Sequence, residues 1–292
     1  VDGSRLAAAL PVEKGVTPNW LLEDDVPELP EVEVTRRRLE RELVGSKFKQ
    51  VILRVKKLRL PVPADLDQLL SGRMVRAIDR RGKYLLFDCE VGWLLVHLGM
   101  TGFLRLLHGV PPPGKHDHLD FVFDDGQLLR FHDPRKFGIV TWFVGDPLQH
   151  PLLTEIGPEP LGRGFDGAYL FGASRGRKVA VKQLIMNSAV VAGVGNIYAN
   201  ESLFRSRIRP DRAAGELTLQ ECTKLVATIR AVLKESIVAG DACLVAEETV
   251  AYYPQAFGVY GRGGKPCHTC NEPLDEIRLG GRSTIFCHTC QK

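Results

Sequence analysis

Four cysteines near the end of the sequence have the spacing of a metal site: Cys267-x2-Cys270-x16-Cys287-x2-Cys290. Each CxxC pair can bring two thiolates to one tetrahedral ion, and the stretch between the pairs can fold back as a hairpin. All four positions are cysteine, so no coordination position is left for a reactive water. The chemistry expected is one structural zinc ion, with His268 and His288 spare. Arg282 lies in the intervening "LGGRSTIF", where a braced turn would suit a phosphate grip. An ordinary surface arginine fits the same position equally well. Cys89, Cys222 and Cys243 stand apart in apolar or mixed surroundings and read as reduced residues outside any disulfide framework.

Other chemistry-bearing stretches are less specific alone. "AGVGNIYANESLF" is a glycine-rich turn running into a helix, where exposed N–H groups and the Asn196 amide can receive a phosphate. A tight helix connection is the plainer alternative. "HLGMTG" sets Met100 between glycines, and "HDPRKFG" sets Arg135 and Phe137 on a loop between strands. A flexible apolar chain, an arginine and an aromatic on loops can wedge into a base stack. Taken singly, Met100 and Phe137 fit core packing better. Lys83 in "RRGKYLL" suits a phosphate ligand or, more commonly, an exposed strand lysine.

These groups need elements to hold them. "PEVEVTRRRLEREL" (30–43) predicts a helix, with Pro30 and acids in its first turn, a stripe of Val32, Thr35, Leu39 and Leu43, and Gly45 as its stop. Segments rich in branched and aromatic residues follow to about residue 144, with Asp125-Gly126 as a hairpin turn. They predict an antiparallel sandwich or barrel. The second half turns helical. Its longest pattern, "TLQECTKLVATIRAVLKESIVAG", puts Leu219, Cys222, Leu225, Val226, Ile229, Val232 and Leu233 on one face and ends at Gly240.

The chain has 292 residues, 44% hydrophobic and 25% charged, the composition of a soluble globular protein of about two domains. No apolar run reaches the roughly 18 residues of a membrane span, and the opening stretch makes no convincing signal peptide, so a cytoplasmic protein is expected. Of the net +4, residues 1–26 carry −3 and the remainder +7. Arg36, Arg37, Arg38, Arg41, Lys47, Lys49, Arg54, Lys56, Lys57 and Arg59 crowd one early segment. This admits a polyanionic partner, although a solvated helix face and strand edge explain the charge more simply.

Taken together, "PELPEVE" (27–33), "HLGMTG", "DPRKFG", "GVGNIYANE" and "GGRSTIFCHTCQK" resemble the formamidopyrimidine-DNA glycosylase family, from Pro27 to the end of the sequence. The resemblance implies an α+β multidomain fold: an N-terminal β-sandwich flanked by helices (27–157), a linker (158–165), a helix–two-turns–helix domain (166–262) and a C-terminal zinc finger with four cysteine ligands (263–292). It implies a bifunctional glycosylase and AP lyase acting on damaged double-stranded DNA as a bacterial cytoplasmic monomer. It implies no redox or nucleotide cofactor and no membrane. Pro27 corresponds to the nucleophilic N-terminal proline, Glu28 to the acid/base residue and Glu31 to a second acidic position. Lys83, Asn196 and Arg282 correspond to phosphate ligands. Met100, Arg135 and Phe137 correspond to the triad that fills the gap left by the extruded nucleotide. Lys182 corresponds to a lysine implicated in handling oxidised guanine, though on residue type alone it reads as a solvated helix lysine. The opening motif and the Arg135/Phe137 pair favour oxidised purines opposite cytosine over the oxidised pyrimidines of the endonuclease VIII branch.

One departure stands out. Preceded by Val26, the Pro27 nitrogen is an amide whose lone pair is delocalised, so it is not nucleophilic. Residues 1–26 are therefore expected to be an extension outside the family pattern, disordered or absent from the functional protein. A valine codon at 26 could serve as the translation start, or a protease could trim the segment. If the segment persists, a lesion-binding protein without lyase activity results. A zinc-ribbon protein of transcription or assembly would explain the cysteines but not "PELPEVE" or "DPRKFG".

Overall fold

Pro30 and Glu31 begin a helix well: the proline lacks the N–H that a first turn leaves unpaired, and the acid faces the positive helix end. The computed structural model, which describes residues 26–243 and 256–292, has this helix as α1, Leu29–Leu43. The expected stripe of Val32, Thr35, Leu39 and Leu43 is buried, but so are Leu29, Glu31 and Val34 on other faces. The first half of α1 is enclosed: its stripe joins the sandwich core, while Leu29 and Val34 pack with Ile237 of the last long helix. The segment before Val26, expected to be an extension, lies outside the described residues.

Eight strands follow: β1 (Phe48–Leu53), β2 (Ala77–Arg81), β3 (Tyr84–Asp88), β4 (Trp93–His97), β5 (Phe103–His108), β6 (Asp117–Phe123), β7 (Gln127–His132) and β8 (Ile139–Phe143). They form two antiparallel four-stranded sheets, ordered β1-β6-β7-β5 and β2-β3-β4-β8. Phe48, Phe121, Phe123 and Phe131 of the first sheet and Ile78, Phe87, Leu94 and Val96 of the second share one core. A short helix, α2 (Leu66–Leu70), interrupts the strand run. The apolar run 92–107 looks continuous in sequence but divides at "HLGMTG", because β4 and β5 belong to different sheets.

The second body contains α3 (Gly167–Ser174), α4 (Val181–Met186), α5 (Asn196–Ser206) and α6 (Leu219–Cys243). Their core is continuous from Phe165 to Leu233. α4 ends at Met186, and turns replace helix beyond it. Two expectations for α6 fail. Leu219 is 50% exposed, because the first residue of the helix projects beyond the packed face. Gly240 does not stop the helix, which continues to Cys243; just before it, Ile237 and Ala239 pack against α1, and that burial outweighs glycine's poor propensity. Part of the expected helical domain, 244–255, and the side chain of Cys243 lie outside the described residues. The remaining hairpin, β9 (Asp275–Leu279) and β10 (Arg282–Phe286), turns at Gly280 and Gly281, both at positive φ. No helix of the described residues is long and apolar enough to cross a membrane.

In the early basic segment, Arg36, Arg37 and Arg54 are paired locally. Glu33 accepts from Arg36, Arg37 and Arg80, while Asp120 pairs with Arg54. For these arginines, structural pairing takes precedence over the polyanion-binding reading.

Candidate active site

Glu28 immediately precedes α1 but serves a different helix. Its carboxylate accepts from the backbone N–H of Gly195 at 2.8 Å, Ile197 at 2.8 Å and Tyr198 at 3.4 Å, so it caps α5 from across the interface. The glycine-rich turn exists for this contact. A Cβ on Gly195 would lie 2.3 Å from Glu28 Cδ. Leu29 N donates to the carbonyl of Gly193, which sits at φ +77°. The expectation that these N–H groups await a phosphate is therefore corrected: three of them are occupied by Glu28. Burial raises the Glu28 pKa above the ordinary carboxylate value, against the opposing pull of Lys83 and the backbone donors. A carboxyl raised in this way holds its proton more readily than an exposed one, as a general acid requires.

A second buried acid adjoins it. Glu31 Oε2 accepts from the Glu28 backbone N–H at 2.9 Å, and Oε1 accepts from the Tyr198 hydroxyl at 2.5 Å. Tyr198 also meets Ser236 Oγ at 2.7 Å. Burial, reinforced by the nearby Glu28 charge, pushes Glu31 up to about 7. Pro27 is buried beside these groups, and Val26 half-buried. Lys83 follows the β2–β3 turn, whose Gly82 N–H donates to Glu159 at 2.7 Å. Lys182 corrects the solvated-lysine reading: it is 1% exposed and donates to Ser283 O and Thr284 Oγ1, each at 2.7 Å. Burial lowers its pKa to about 7; Glu28 raises it, and Arg282 lowers it further. Lys182 thereby fastens α4 to the strand that Arg282 begins. Arg282 itself is exposed, and Asn196 Oδ1 is buried without a partner among the described residues.

Met100, Arg135 and Phe137 come together on two adjacent loops. Residues 98–102 connect β4 to β5, and 133–138 connect β7 to β8, both crossing between the sheets. Because His97 pairs with Ile139 and Phe103 with His132, the crossings run side by side. Phe137 is 41% exposed and carries the Arg135 guanidinium 4.9 Å from its ring centroid; Met100 is half-buried. Core packing, the better single-residue reading, does not hold for Phe137.

The sulfurs of Cys267, Cys270, Cys287 and Cys290 lie within 4.8 Å of one another. Two pairs stand at 3.4 and 4.0 Å, against the separation of about 3.8 Å set by tetrahedral thiolate coordination. The residues fit a metal ion. His288 turns away to Asp275 at 2.7 Å.

Several supporting residues carry no isolated sequence signal: Tyr198, Ser236, Glu159, Asp133 and His97. His97 lies within "HLGMTG", yet nothing in its type or spacing marks it there. Its Nδ1 accepts from Gly99 N at 3.0 Å, and burial, then Lys83 and Arg59, hold it down at about 3, hence neutral. With Lys83, Tyr84, Met186 and Gly193 it lines a cavity of about 480 Å³ between the sandwich and the helical body.

A sandwich joined through buried carboxylates to a helical body, with a four-cysteine hairpin fastened to that body, defines a class: DNA glycosylases with a helix–two-turns–helix domain. Residues 26–140 match the formamidopyrimidine-DNA glycosylase N-terminal domain, residues 156–247 match the H2TH domain of the same enzymes, and the chain belongs to that family. It is 64% identical over 266 residues to the formamidopyrimidine-DNA glycosylase of Geobacter metallireducens, covering 91% of this chain and all of the relative. The Pelobacter propionicus enzyme is 62% identical over 267 residues, with the same coverage. The Lactococcus lactis Fpg complex with abasic-site DNA superposes with a TM-score of 0.84 at 32% identity, covering 91% of this chain and 100% of that one. The Thermus thermophilus protein gives 0.78 at 38%, covering 91% and 98%.

Proposed function

We propose that this chain is a bifunctional DNA glycosylase and AP lyase of base-excision repair, acting on 8-oxoguanine and formamidopyrimidines opposite cytosine once Pro27 is a free N-terminus. The observation that carries the reading is the buried Glu28 carboxyl on the α5 N-terminus, next to Pro27 and within the fields of Lys83 and Lys182. The family match beginning at residue 26, and relatives covered end to end by 91% of this chain, support a functional protein that opens at Pro27.

The amine lone pair of Pro27 attacks C1′ as the C1′–base bond breaks, and the nitrogen gives up its N–H proton as the departing base takes one up. Glu28 protonates O4′, the sugar ring opens, and an iminium forms between C1′ and the proline nitrogen. That iminium accepts the electrons released when a C2′ proton leaves, so the C3′–O bond breaks. Loss of a second proton, at C4′, expels the 5′ oxygen. Water then hydrolyses the iminium and frees the proline. Lys83, Asn196 and Arg282 hold phosphates beside the lesion and favour extrusion of its nucleotide. Met100 and Phe137 fill the gap, and Arg135 faces the unpaired cytosine. Glu31 and Lys182 support this machinery: Glu31 holds the Glu28 backbone, and Lys182 fastens the strand bearing Arg282. The four cysteines hold one structural zinc ion, which fixes the hairpin and takes no part in the reaction. The protein acts as a cytoplasmic monomer on duplex DNA.

An intact Val26–Pro27 bond favours a second reading, a lesion-binding protein without lyase activity, because an amide nitrogen forms no iminium. Borohydride trapping on an 8-oxoguanine:cytosine duplex separates them. The form beginning at Pro27 should give a covalent adduct and the full chain none. An adduct from the full chain, with residues 1–26 still attached by mass, would contradict the proposed nucleophile. Equal cutting of oxidised pyrimidines would defeat the purine assignment.

A further inference from the structure

The two crossing loops share one buried group. Asp133, fully buried, accepts from Gly138 N–H at 2.8 Å through Oδ2 and from the Thr101 hydroxyl at 3.2 Å through Oδ1. One carboxylate thus ties the end of the loop carrying Arg135 and Phe137 to the residue after Met100. Its backbone is also fixed: Asp133 N donates to His116 O at 3.0 Å, and its carbonyl meets His118 Nε2 at 2.8 Å. The loops touch backbone to backbone. A Cβ on Gly99 would lie 2.5 Å from both Gly138 N and Phe137 C, and one on Gly138 would lie 2.9 Å from His97 O. Arg59 N, in the segment between β1 and α2, donates to Gly138 O at 3.1 Å.

We propose that Asp133 is a positioning residue that makes the two loops one rigid wedge, so that Arg135 meets the base opposite the lesion in a fixed orientation. Asp133 does not touch DNA. It acts through Arg135, Phe137 and Met100, and the inference rests on the wedge role proposed for those residues. A loop that can rotate places a guanidinium against cytosine or adenine with less discrimination. A loop fixed by a charged acceptor inside the protein cannot adjust to the wrong base. Cutting at a preformed abasic site needs less of this device, because there is no damaged base to unstack.

The test uses the zinc-loaded form beginning at Pro27, the extent of chain that matches whole relatives and solved structures of the family. Asp133→Asn retains one acceptor where the carboxylate offered two. Thr101→Val breaks a single bond. Arg135→Ala is the control for the wedge itself. Single-turnover rates are measured on 8-oxoguanine opposite cytosine, the same lesion opposite adenine, and a preformed abasic site. Loss of a charge-assisted bond should slow excision opposite cytosine about tenfold in Asp133→Asn and narrow the cytosine-to-adenine ratio, with abasic cutting within about threefold of the parent. Thr101→Val should change both in the same direction by less. An unchanged ratio in Asp133→Asn, where Arg135→Ala abolishes it, would overturn the positioning role. An equal loss on all three substrates would also overturn it, since that marks general structural support. An unchanged ratio in Arg135→Ala would instead overturn the wedge reading beneath it. If Asp133→Asn does not fold, Thr101→Val decides by the same criteria.

Discussion

The residue at which chemistry and folding meet most closely is Glu31. Its carboxyl is enclosed by the Glu28 backbone and Tyr198, and burial raises it from 4.5 to about 7. A carboxyl raised on folding binds its proton more tightly in the folded state. The Glu31 contribution to stability therefore falls as pH rises from about 4.5 to about 7 and is level above that. Glu31→Gln removes this dependence. Relative to the parent, the variant should gain on the order of 1–3 kcal/mol between pH 4.5 and 7, with no further gain above, read from urea unfolding at a pH series. A constant difference across the series would show that Glu31 does not titrate there. None of this was legible locally: in sequence Glu31 is a helix-dipole carboxylate, and its Tyr198 partner lies 167 residues away.

At the scale of elements, α5 organises the second body. One end receives Glu28. Its middle holds the four-cysteine hairpin, where Asn200 joins Asn196 O at 2.8 Å to Ile285 N at 3.2 Å. Glu201, 2% exposed, accepts from the backbone N–H of Gly258, Val259 and Tyr260 at 2.8, 2.9 and 2.8 Å. The proposed phosphate ligands Asn196 and Arg282 thus sit on elements fastened to one helix. Glu201→Gln places an amide donor against backbone donors. It should cost about 1–3 kcal/mol of stability and weaken binding to abasic duplex, read by thermal melting and fluorescence anisotropy. Unchanged affinity in a destabilised variant would show that the hairpin keeps Arg282 in place without this tie. The cysteine spacing was legible because its ligands are near neighbours in sequence. The hairpin's seat on α5 was not, since Asn200 and Ile285 are 85 residues apart.

Across the whole molecule, the two bodies are held by α1 and by charge. Arg80 donates to Glu33 on α1 at 2.8 Å and to Glu159, in the segment between the bodies, at 2.8 Å. Arg81 donates to Glu159 at 3.1 Å and to Gly157 O at 2.7 Å. The prolines and glycines at 157–164 suggest a plain connector, yet Glu159 also fixes the turn that presents Lys83. Glu33 is lowered to about 2, because its bonds to Arg36, Arg80 and Arg37 outweigh its burial. A carboxyl lowered on folding contributes stability that is complete above about pH 4.5 and lost as pH falls toward about 2. Glu33→Gln should therefore be less stable than the parent at pH 6, with the gap closing through that acid window, read by calorimetry. A gap that persists at pH 2 would mean the arginine network is not held by the Glu33 charge.

The sequence by itself determined the elements whose causes are local: α1 from its proline, acids and stripe, the strands from branched and aromatic residues, the α6 face beyond Leu219 from its period, and the four-cysteine cluster from two CxxC pairs. The resemblance carried by five short motifs named the family. Tertiary structure alone decided that Glu28 caps α5, that Lys182 is buried on the hairpin, that the Met100 and Arg135 loops form one block, and that several early arginines are already paired. The reason is physical. Helical period, strand alternation and ligand spacing act between near neighbours, whereas these contacts join residues brought together only when two sheets, α1 and the helical body close on one another.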